Sequence, residues 1–254
     1  MAFIKRIIPG IYKIQLSMPF RMDQVNVYLL EGKPLTLIDT GPIMEGIWED
    51  LCEALAQTGH GPSELERIII THTHPDHMGF AARLKHISGA ELVCHRLAVP
   101  KVKDYRGAVL EEMEELIEFS QTLGLSPDLM RTNQSLMRGW LDVAESTEVD
   151  LVVEGGEPLG GDPFDLEVIY TPGHCIDHIV LYLPEYHLIA TGDLLLDKIT
   201  PNPEVYTNRA DGKLSGLPDY LESITKLREL KVFQALPGHG NCIPNFHARI
   251  DEIL

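Results

Sequence analysis

Four side chains of the types that bind metal ions lie within the six residues HTHPDH, positions 72–77. This run begins two residues after an apolar stretch, residues 68–70, which predicts a strand ending just before the first histidine. In an extended backbone alternate side chains project to the same side, so the imidazoles of His72 and His74 can bind one ion. Asp76 and His77 lie where the chain turns into a helix, and they can reach a second ion. In the alternative interpretation Asp76 only caps that helix. That interpretation does not explain why four ligand-type side chains lie within six residues.

The run HTHPDH resembles HxHxDH, the metal-binding motif of the metallo-β-lactamase superfamily. Four further segments resemble that family's remaining motifs and follow its order: LIDTG at 37–41, TPGH at 171–174, TGD at 191–193 and PGHG at 237–240. The resemblance therefore extends over nearly the whole chain.

This resemblance implies an α/β fold, the αββα sandwich, with two metal ions bound at the edges of its sheets. One ion would be bound by His72, His74 and His174, and the other by Asp76, His77 and His239, with Asp193 bridging the two. Asp76 and Asp193 are the predicted catalytic carboxylates. Imidazole and carboxylate ligands suit zinc, so two zinc ions are expected, with iron or manganese as alternatives. Two such cations lower the pKa of a bridging water toward neutrality, and the resulting hydroxide attacks a carbonyl carbon or a phosphorus atom.

Two further residues are candidates for orienting metal ligands from outside the site. Asp39, at the end of a predicted strand, either orients a ligand histidine or caps the turn at Thr40 and Gly41. His178 follows His174 by four residues, where similar proteins also have a histidine. It either supports the metal site or the substrate, or it packs as an ordinary buried histidine.

The elements that would position these residues alternate between strands and helices. Short apolar or alternating runs predict strands at 4–8, 11–16, 25–30, 35–39, 67–70, 91–94, 151–153, 166–170, 179–183, 188–190 and 232–235. Helical spacing predicts helices at 44–57, 80–86, 109–119, one or two within 127–144, one at 220–230 and one from about residue 245. Two halves that each mix strands and helices indicate two sheets packed face to face with helices outside, in a single domain over residues 1–254.

Residues 100–145 form a predicted helical insertion in this β-rich chain. Its apolar side chains include Met113, Met130, Met137, Trp140 and Leu141. They either pack the insertion against the main body, as apolar helix stripes usually do, or they form an apolar wall for a substrate beside the metals.

Composition and charge exclude several classes of protein. With 44% hydrophobic and 23% charged residues, a chain of 254 residues can bury a core and is neither disordered nor a coiled coil. Its 21 Lys and Arg against 38 Asp and Glu give a net charge of −17, which disfavours nucleic acid as a partner. No apolar run approaches the roughly 20 residues that span a bilayer, the first residues do not resemble a secretory signal, and the four cysteines form no CxxC pair. We therefore expect a cytoplasmic protein that binds a small-molecule substrate and has neither nucleic acid nor a membrane as a partner.

The superfamily supports several reactions, so its motifs alone do not name the substrate. The stretch TPGHCIDH at 171–178 resembles the glyoxalase II-like branch, but only residues 240–254 follow His239, where glyoxalase II continues with a glutathione-binding domain. We predict a dinuclear metal-dependent hydrolase that acts on an ester-type bond, with an acyl thioester as the first choice. A lactonase and an RNA or phosphodiester hydrolase are alternatives, as is a non-catalytic sensor, which would have lost metal ligands. The sequence does not indicate an oligomeric state.

Overall fold

Strands and helices alternate along the chain, and most strands belong to two sheets. A computed structural model describes residues 2–19, 22, 24–207 and 214–254; the side chain of Met130 lies outside that description. In the described part, the first sheet contains seven strands in chain order: β1 Phe3–Ile8, β2 Ile11–Ser17, β3 Gln24–Leu30, β4 Thr36–Ile38, β5 Arg67–Ile69, β6 Glu91–His95 and β7 Leu151–Val153. The pairings from β1 to β4 are antiparallel, and those from β4 to β7 are parallel.

The second sheet is built from the later part of the chain. Its strands are β8 Pro158–Leu159, β9 Leu166–Tyr170, β10 Ile179–Leu183, β11 Leu188–Gly192 and β14 Gln234–Pro237, and a short ribbon is formed by β12 Tyr206–Thr207 and β13 Leu214–Ser215. The order in this sheet is β14-β11-β10-β9-β8. Its β11–β14 pair is parallel and the other pairs are antiparallel.

Helices cover the outer faces of both sheets. They are α1 Ile47–Thr58, α2 Pro75–Met78, α3 Ala81–Ser88, α4 Val99–Lys103, α5 Tyr105–Thr122, α6 Pro127–Arg138, α7 Leu217–Leu227 and α8 Phe246–Ile253. In α1 the apolar residues Ile47, Leu51 and Leu55 recur every four positions and are buried on one face, as the helical period requires. Across the residues that the structure describes, no helix has the length and the apolar composition needed to cross a bilayer.

Three clusters of buried apolar side chains separate four layers. The first cluster lies between the first sheet and its helices and includes Leu29 of β3 and Leu51 of α1. The second fills the space between the sheets, where Ile38 of β4 and Leu181 of β10 are buried. The third lies between the second sheet and α7 and α8, and it includes Ile224. Helix, sheet, sheet and helix layers form the predicted αββα sandwich.

Helices α4, α5 and α6 lie between β6 and β7 in the chain, where the sequence predicts an insertion. Met113 is buried in the first cluster, and Met137 and Leu141 pack against its edge. Trp140, in contrast, is 40% exposed. Core packing therefore accounts for three of the insertion's apolar side chains, while Trp140 remains accessible.

Candidate metal centre

The predicted site residues follow the ends of five strands, β4, β5, β9, β11 and β14. Asp39 comes directly after β4, and the HTHPDH run begins three residues after β5 ends. His174, Asp193 and His239 follow β9, β11 and β14 within four residues. Ligand sites of α/β folds form at the carboxyl ends of strands, and here the structure brings all of these side chains together.

Three imidazoles form a first group, which we call site A: His72, His74 and His174. The Nδ1 atom of His74 lies 3.0 Å from Nε2 of His72 and 3.0 Å from Nε2 of His174. Their ligand atoms are close enough together to contact a single ion.

Each imidazole of site A uses its other nitrogen for a hydrogen bond outside the group. His72 Nδ1–H donates to the Thr71 hydroxyl oxygen at 3.0 Å, since that hydroxyl itself donates to Asp39. The other two rings donate from His74 Nε2–H to Glu204 Oε1 at 2.9 Å and from His174 Nδ1–H to the Asn202 carbonyl at 3.0 Å. A neutral imidazole carries one N–H, so these assignments leave a lone pair on every inner nitrogen.

Asp76, His77 and His239 form a second group, which we call site B. His239 Nε2 lies 3.3 Å from Asp76 Oδ2, and His77 Nε2 lies 4.0 Å from the same oxygen. Both rings are again held from outside: His77 Nδ1–H donates to Asp39 Oδ2 at 2.8 Å, and His239 Nδ1–H donates to the carbonyl of Gln24. Their Nε2 atoms therefore face Asp76 and the centre of the site.

Asp193 lies between the two groups. Its Oδ2 is 3.2 Å from His239 Nε2 and 3.7 Å from His174 Nε2, and its Oδ1 is 3.5 Å from His77 Nε2. The carboxylate thus lies within 3.7 Å of one histidine of site A and both histidines of site B, and its ligand oxygen also forms a group with His72 and His77. This is the position that a bridging ligand needs.

The donor atoms at the centre fit positively charged ions. Within the described part of the chain, His77 Nε2 and Asp193 Oδ1 are buried without a hydrogen-bond partner. A buried polar atom left unpaired costs about 1–3 kcal/mol, and the lone pairs of site A repel each other at 3.0 Å. A cation in each group would remove both penalties, because imidazole nitrogen and carboxylate oxygen are ligands for zinc and related ions.

The two groups differ in their electrostatics. Burial and the neighbouring imidazoles hold the pKa of His72 well below its ordinary value, and burial lowers the pKa of His174 to about 4. Burial alone would also lower the pKa values of His77 and His239. The carboxylate of Asp193 and other nearby acidic groups outweigh this effect, and they raise the pKa of His77 well above its ordinary value and that of His239 to about 10. In site A only His74 differs: burial alone would lower its pKa, but the hydrogen-bonded carboxylate of Glu204 raises it. His72 and His174 therefore stay neutral, whereas His74 and the two histidines of site B attract protons or other cations.

Asp39 holds the HTHPDH run from outside the site. Besides the bond from His77, its two oxygens accept hydrogen bonds from the N–H and the hydroxyl of Thr71, each at 2.8 Å. Asp39 has a φ of 59°, a left-handed conformation that costs a non-glycine residue on the order of 1 kcal/mol. Of the two roles that the sequence leaves open for Asp39, these contacts match the orientation of a histidine.

His178 contacts Asp193 through the backbone. The N–H of Asp193 donates to His178 Nε2 at 3.2 Å, and His178 Nδ1–H donates to the hydroxyl of Thr171 at 3.0 Å. The ring is fully buried, and burial lowers its pKa well below the ordinary value. His178 therefore supports the segment that carries Asp193 and belongs to neither site A nor site B.

Side chains of β3 hold the loop that carries His239. Asn26 Nδ2 donates to the carbonyls of Pro237 at 2.7 Å and Gly240 at 3.1 Å, and the Tyr28 hydroxyl donates to the carbonyl of Pro237 at 2.7 Å. These contacts join the two sheets at the site.

Sequence reasoning places Asn26 at a common early-strand position without assigning it a role, and it missed Glu204 as a residue that contacts the site. Asn26 interrupts the apolar pattern of β3 and is fully buried, so a polar residue within an apolar strand was the signal that could have identified it. Glu204 lies in an irregular segment, 130 residues from His74, and no pattern in the sequence links the two.

Known proteins resemble this chain in sequence over most of its length. A family model described as the metallo-beta-lactamase superfamily matches residues 21–239. The probable metallo-hydrolase YqjP of Bacillus subtilis is 29% identical over 241 residues, 94% of this chain and 74% of YqjP. The beta-lactamase-like protein 2 homolog of Caenorhabditis elegans is 27% identical, over 93% of this chain and 62% of that protein. The atrochrysone carboxyl ACP thioesterase of Aspergillus fumigatus is 23% identical, over 91% of this chain and 56% of that protein. The chain thus spans between 56% and 74% of the length of these relatives.

Solved structures share the fold. The metallo-beta-lactamase family protein TTHA1429 from Thermus thermophilus superposes with a TM-score of 0.78 and 26% identity, over 98% of this chain and 79% of that one. TTHA1623, solved in a di-iron-bound form, superposes with a TM-score of 0.64 and 24% identity, over 94% of this chain and 99% of that one.

Proposed function

Because the chain belongs to the metallo-beta-lactamase superfamily of metal-dependent hydrolases, we propose that it hydrolyses acyl thioesters at a centre of two metal ions. The observation that carries this proposal is the convergence of two donor groups, sites A and B, on either side of Asp193. The proposed ions are zinc. Iron and manganese are the alternatives, and the di-iron form of TTHA1623 makes iron the first of them to test.

The proposed ligands are His72, His74 and His174 for one ion, Asp76, His77 and His239 for the other, and Asp193 for both. When bound, two divalent cations supply an activated water and neutralise the negative charge that develops on the substrate's carbonyl oxygen. The chain's contribution is preorganisation. Every ligand imidazole is already turned toward the centre by a hydrogen bond on its outer side, so binding requires little rearrangement.

Asp76 and Asp193 have different proposed roles. Asp193 keeps only 10% of its side chain exposed and lies between the two groups, whereas 22% of the Asp76 side chain is exposed. Burial alone would raise the pKa of Asp76, but the neighbouring His77 and His239 lower it to about 2. Asp76 is therefore ionised near neutral pH. Its Oδ2 faces His239, and we assign Oδ1 to accept a hydrogen bond from the attacking water.

Features of the helical insertion favour an acyl group as part of the substrate. Its end is tied to the loop after Asp39 by a hydrogen bond from the Ile43 N–H to the Val143 carbonyl at 2.8 Å. Close by in the chain, the buried hydroxyl of Tyr105 donates to the Trp140 carbonyl at 2.7 Å, and the Trp140 side chain remains 40% exposed. An exposed aromatic ring at this end of the insertion suits an acyl chain. The fungal relative named as an ACP thioesterase points to the same substrate class.

We propose a small molecule rather than nucleic acid as the partner, because a net charge of −17 repels a phosphate backbone. The four cysteines are free thiols, which fits a reducing compartment, and we propose the cytoplasm as the place of action.

The proposal is tested by elemental analysis of the purified protein together with a panel of acyl thioesters, lactones and phosphodiesters. We expect about two metal ions per chain and the highest kcat/KM for an acyl thioester, with loss of activity after chelation. A preference for lactones or phosphodiesters would contradict acyl thioesters as the substrate class. A single tightly bound iron, with activity unaffected by His239→Ala, would contradict the two-metal centre.

A further inference from the structure

A charged side chain outside the predicted ligand set contacts a residue of site A. Glu204 Oε1 accepts a hydrogen bond from His74 Nε2–H at 2.9 Å, although the two residues are 130 positions apart. Glu204 belongs to none of the five motifs of the sequence. The contact uses the nitrogen of His74 that points away from the other two imidazoles, whose Nε2 atoms both face His74 Nδ1.

The backbone around Glu204 is fixed independently of this contact. The N–H of Glu204 donates to the carbonyls of Gly173 at 3.0 Å and His174 at 3.2 Å. The carbonyl of Asn202 accepts the hydrogen bond from His174 Nδ1–H. Residues 202–204 are therefore hydrogen-bonded to the TPGH segment at 171–174. The position of the Glu204 carboxylate does not depend on its contact with His74 alone.

Glu204 differs in charge from the other outer partners of site A. The partner of His72 is the Thr71 hydroxyl, and the partner of His174 is a backbone carbonyl. A carboxylate that accepts the outer N–H of a ligand imidazole fixes its tautomer and makes the inner nitrogen a stronger ligand. Asp39 makes the corresponding contact with His77 in site B. Each site thus contains one imidazole whose outer nitrogen donates to a carboxylate.

We propose that Glu204 is a positioning residue for site A, which holds His74 in the tautomer that presents Nδ1 to an ion and so increases the metal affinity of that site alone. This inference rests on the metal binding of the proposed function. It adds a residue outside the family's motifs, and it predicts that the affinities of the two sites can be changed separately.

The experiment is a Co²⁺ titration of the full chain after removal of metal with a chelator, followed by visible absorption and by competition with a chromophoric chelator. Glu204→Ala removes the acceptor, and Glu204→Gln keeps an acceptor oxygen without the charge. Glu222→Ala, on the exposed face of α7, is the matched control. Because 42% of the Glu204 side chain is exposed, water can replace it at His74 and the Ala variant should fold.

We expect Glu204→Ala to weaken binding of one Co²⁺ by about 10- to 100-fold and to change the other by less than about twofold, with partial restoration in Glu204→Gln. In a His74→Ala background, Glu204→Ala should have no further effect, because the hydrogen bond through which we propose that Glu204 acts is then absent. Unchanged affinities in Glu204→Ala, equal weakening of both ions, or a further loss in the His74→Ala background would each overturn the proposal.

These outcomes are separate from those that test the substrate. A wild-type chain that binds two Co²⁺ ions but cleaves no thioester would refute the proposed reaction and leave the role of Glu204 standing. A wild-type chain that hydrolyses thioesters, together with a Glu204→Ala variant that binds both ions with unchanged affinity, would refute the role of Glu204 and leave the proposed reaction standing.

Discussion

Asp193 is the carboxylate that faces both donor groups. Its substitution therefore tests whether one carboxylate is a ligand of both ions or of only one. Asp193→Asn removes the charge but keeps the volume, and repulsion between two cations would then be offset less well. We expect loss of one metal ion per chain and a decrease in kcat of at least about a hundredfold, which corresponds to roughly 2.7 kcal/mol. Elemental analysis and steady-state kinetics measure both effects.

Glu222→Gln is the control for Asp193→Asn, because it makes the same change from carboxylate to amide on an exposed helix face. It should leave metal content and kcat unchanged. An Asp193→Asn protein with two ions and normal turnover would show that Asp193 is not shared between them.

Gly238 is required by the close approach of two site residues. A Cβ atom there would lie 2.3 Å from Asp193 Oδ1 and 2.6 Å from His77 Cε1. Since side chains this tightly held cannot withdraw, Gly238→Ala should displace the carboxylate, lower the metal content and decrease kcat at least about tenfold. Gly160→Ala is the comparison, because its nearest neighbour would be 3.9 Å away. If both variants kept full metal content, the packing at Gly238 would have no effect on the site.

Individual site residues were predictable where their spacing in the sequence determines on which side of the backbone their side chains lie. Alternation in an extended chain places His72 and His74 on one side, and the structure puts their facing nitrogens 3.0 Å apart. Glu204 was not predictable in this way, because only the tertiary fold brings it to His74. The sequence leaves two roles open for Asp39 and for His178, because it does not locate their hydrogen-bond partners, His77 and the Asp193 N–H.

Secondary structure elements were predicted well where apolar periodicity is long and regular. The predicted strands at 166–170 and 179–183 coincide with β9 and β10, and the predicted helix at 109–119 lies inside α5. The prediction missed β8 and the β12–β13 ribbon, which are two residues per strand and too short for a period to show. It also placed the strand at 232–235 two residues early, because Val232 is apolar but packs beside α7 and α8 rather than within β14.

The helical insertion leads to a test of substrate length. Trp140 is the exposed aromatic residue at the end of the insertion that is tied to the loop after Asp39. If it contacts the acyl chain, Trp140→Ala should raise KM for long-chain thioesters by about tenfold more than for short ones, the equivalent of roughly 1.4 kcal/mol. The measurement is KM across a series of acyl chain lengths.

Leu123→Ala provides the control within the same insertion. Leu123 is 60% exposed and caps α5 at the end opposite Tyr105, about 27 Å away along an 18-residue helix. The Leu123→Ala variant should leave KM unchanged for substrates of every acyl chain length. Equal changes for long and short substrates in Trp140→Ala would assign that residue to packing of the insertion.

Across the whole chain, the order of elements and motifs determines the fold more clearly than any one segment. Five motifs fall at strand ends from residue 37 to residue 240, and strands of both sheets bring these distant segments together. The shared core between the sheets, with Ile38 and Leu181, joins the halves. The site lies at their common edge, so the donor groups form only when both halves are folded. Folding stability and metal binding should therefore be linked.

Removal of metal tests this linkage in the intact protein. Asp39, Asp76 and Asp193 concentrate negative charge in a mostly buried site, and ions bound at a thousandfold excess over Kd stabilise the folded state by about 4.1 kcal/mol for each site. For a chain of this size, loss of one site should lower Tm by about 8–16 °C. We expect chelation to lower Tm by at least that amount and stoichiometric zinc to restore it. Asp193→Asn, which should retain fewer ions, should show a smaller decrease on chelation. An unchanged Tm in protein shown by elemental analysis to be metal-free would mean that the site forms without its ions and that folding and metal binding are independent.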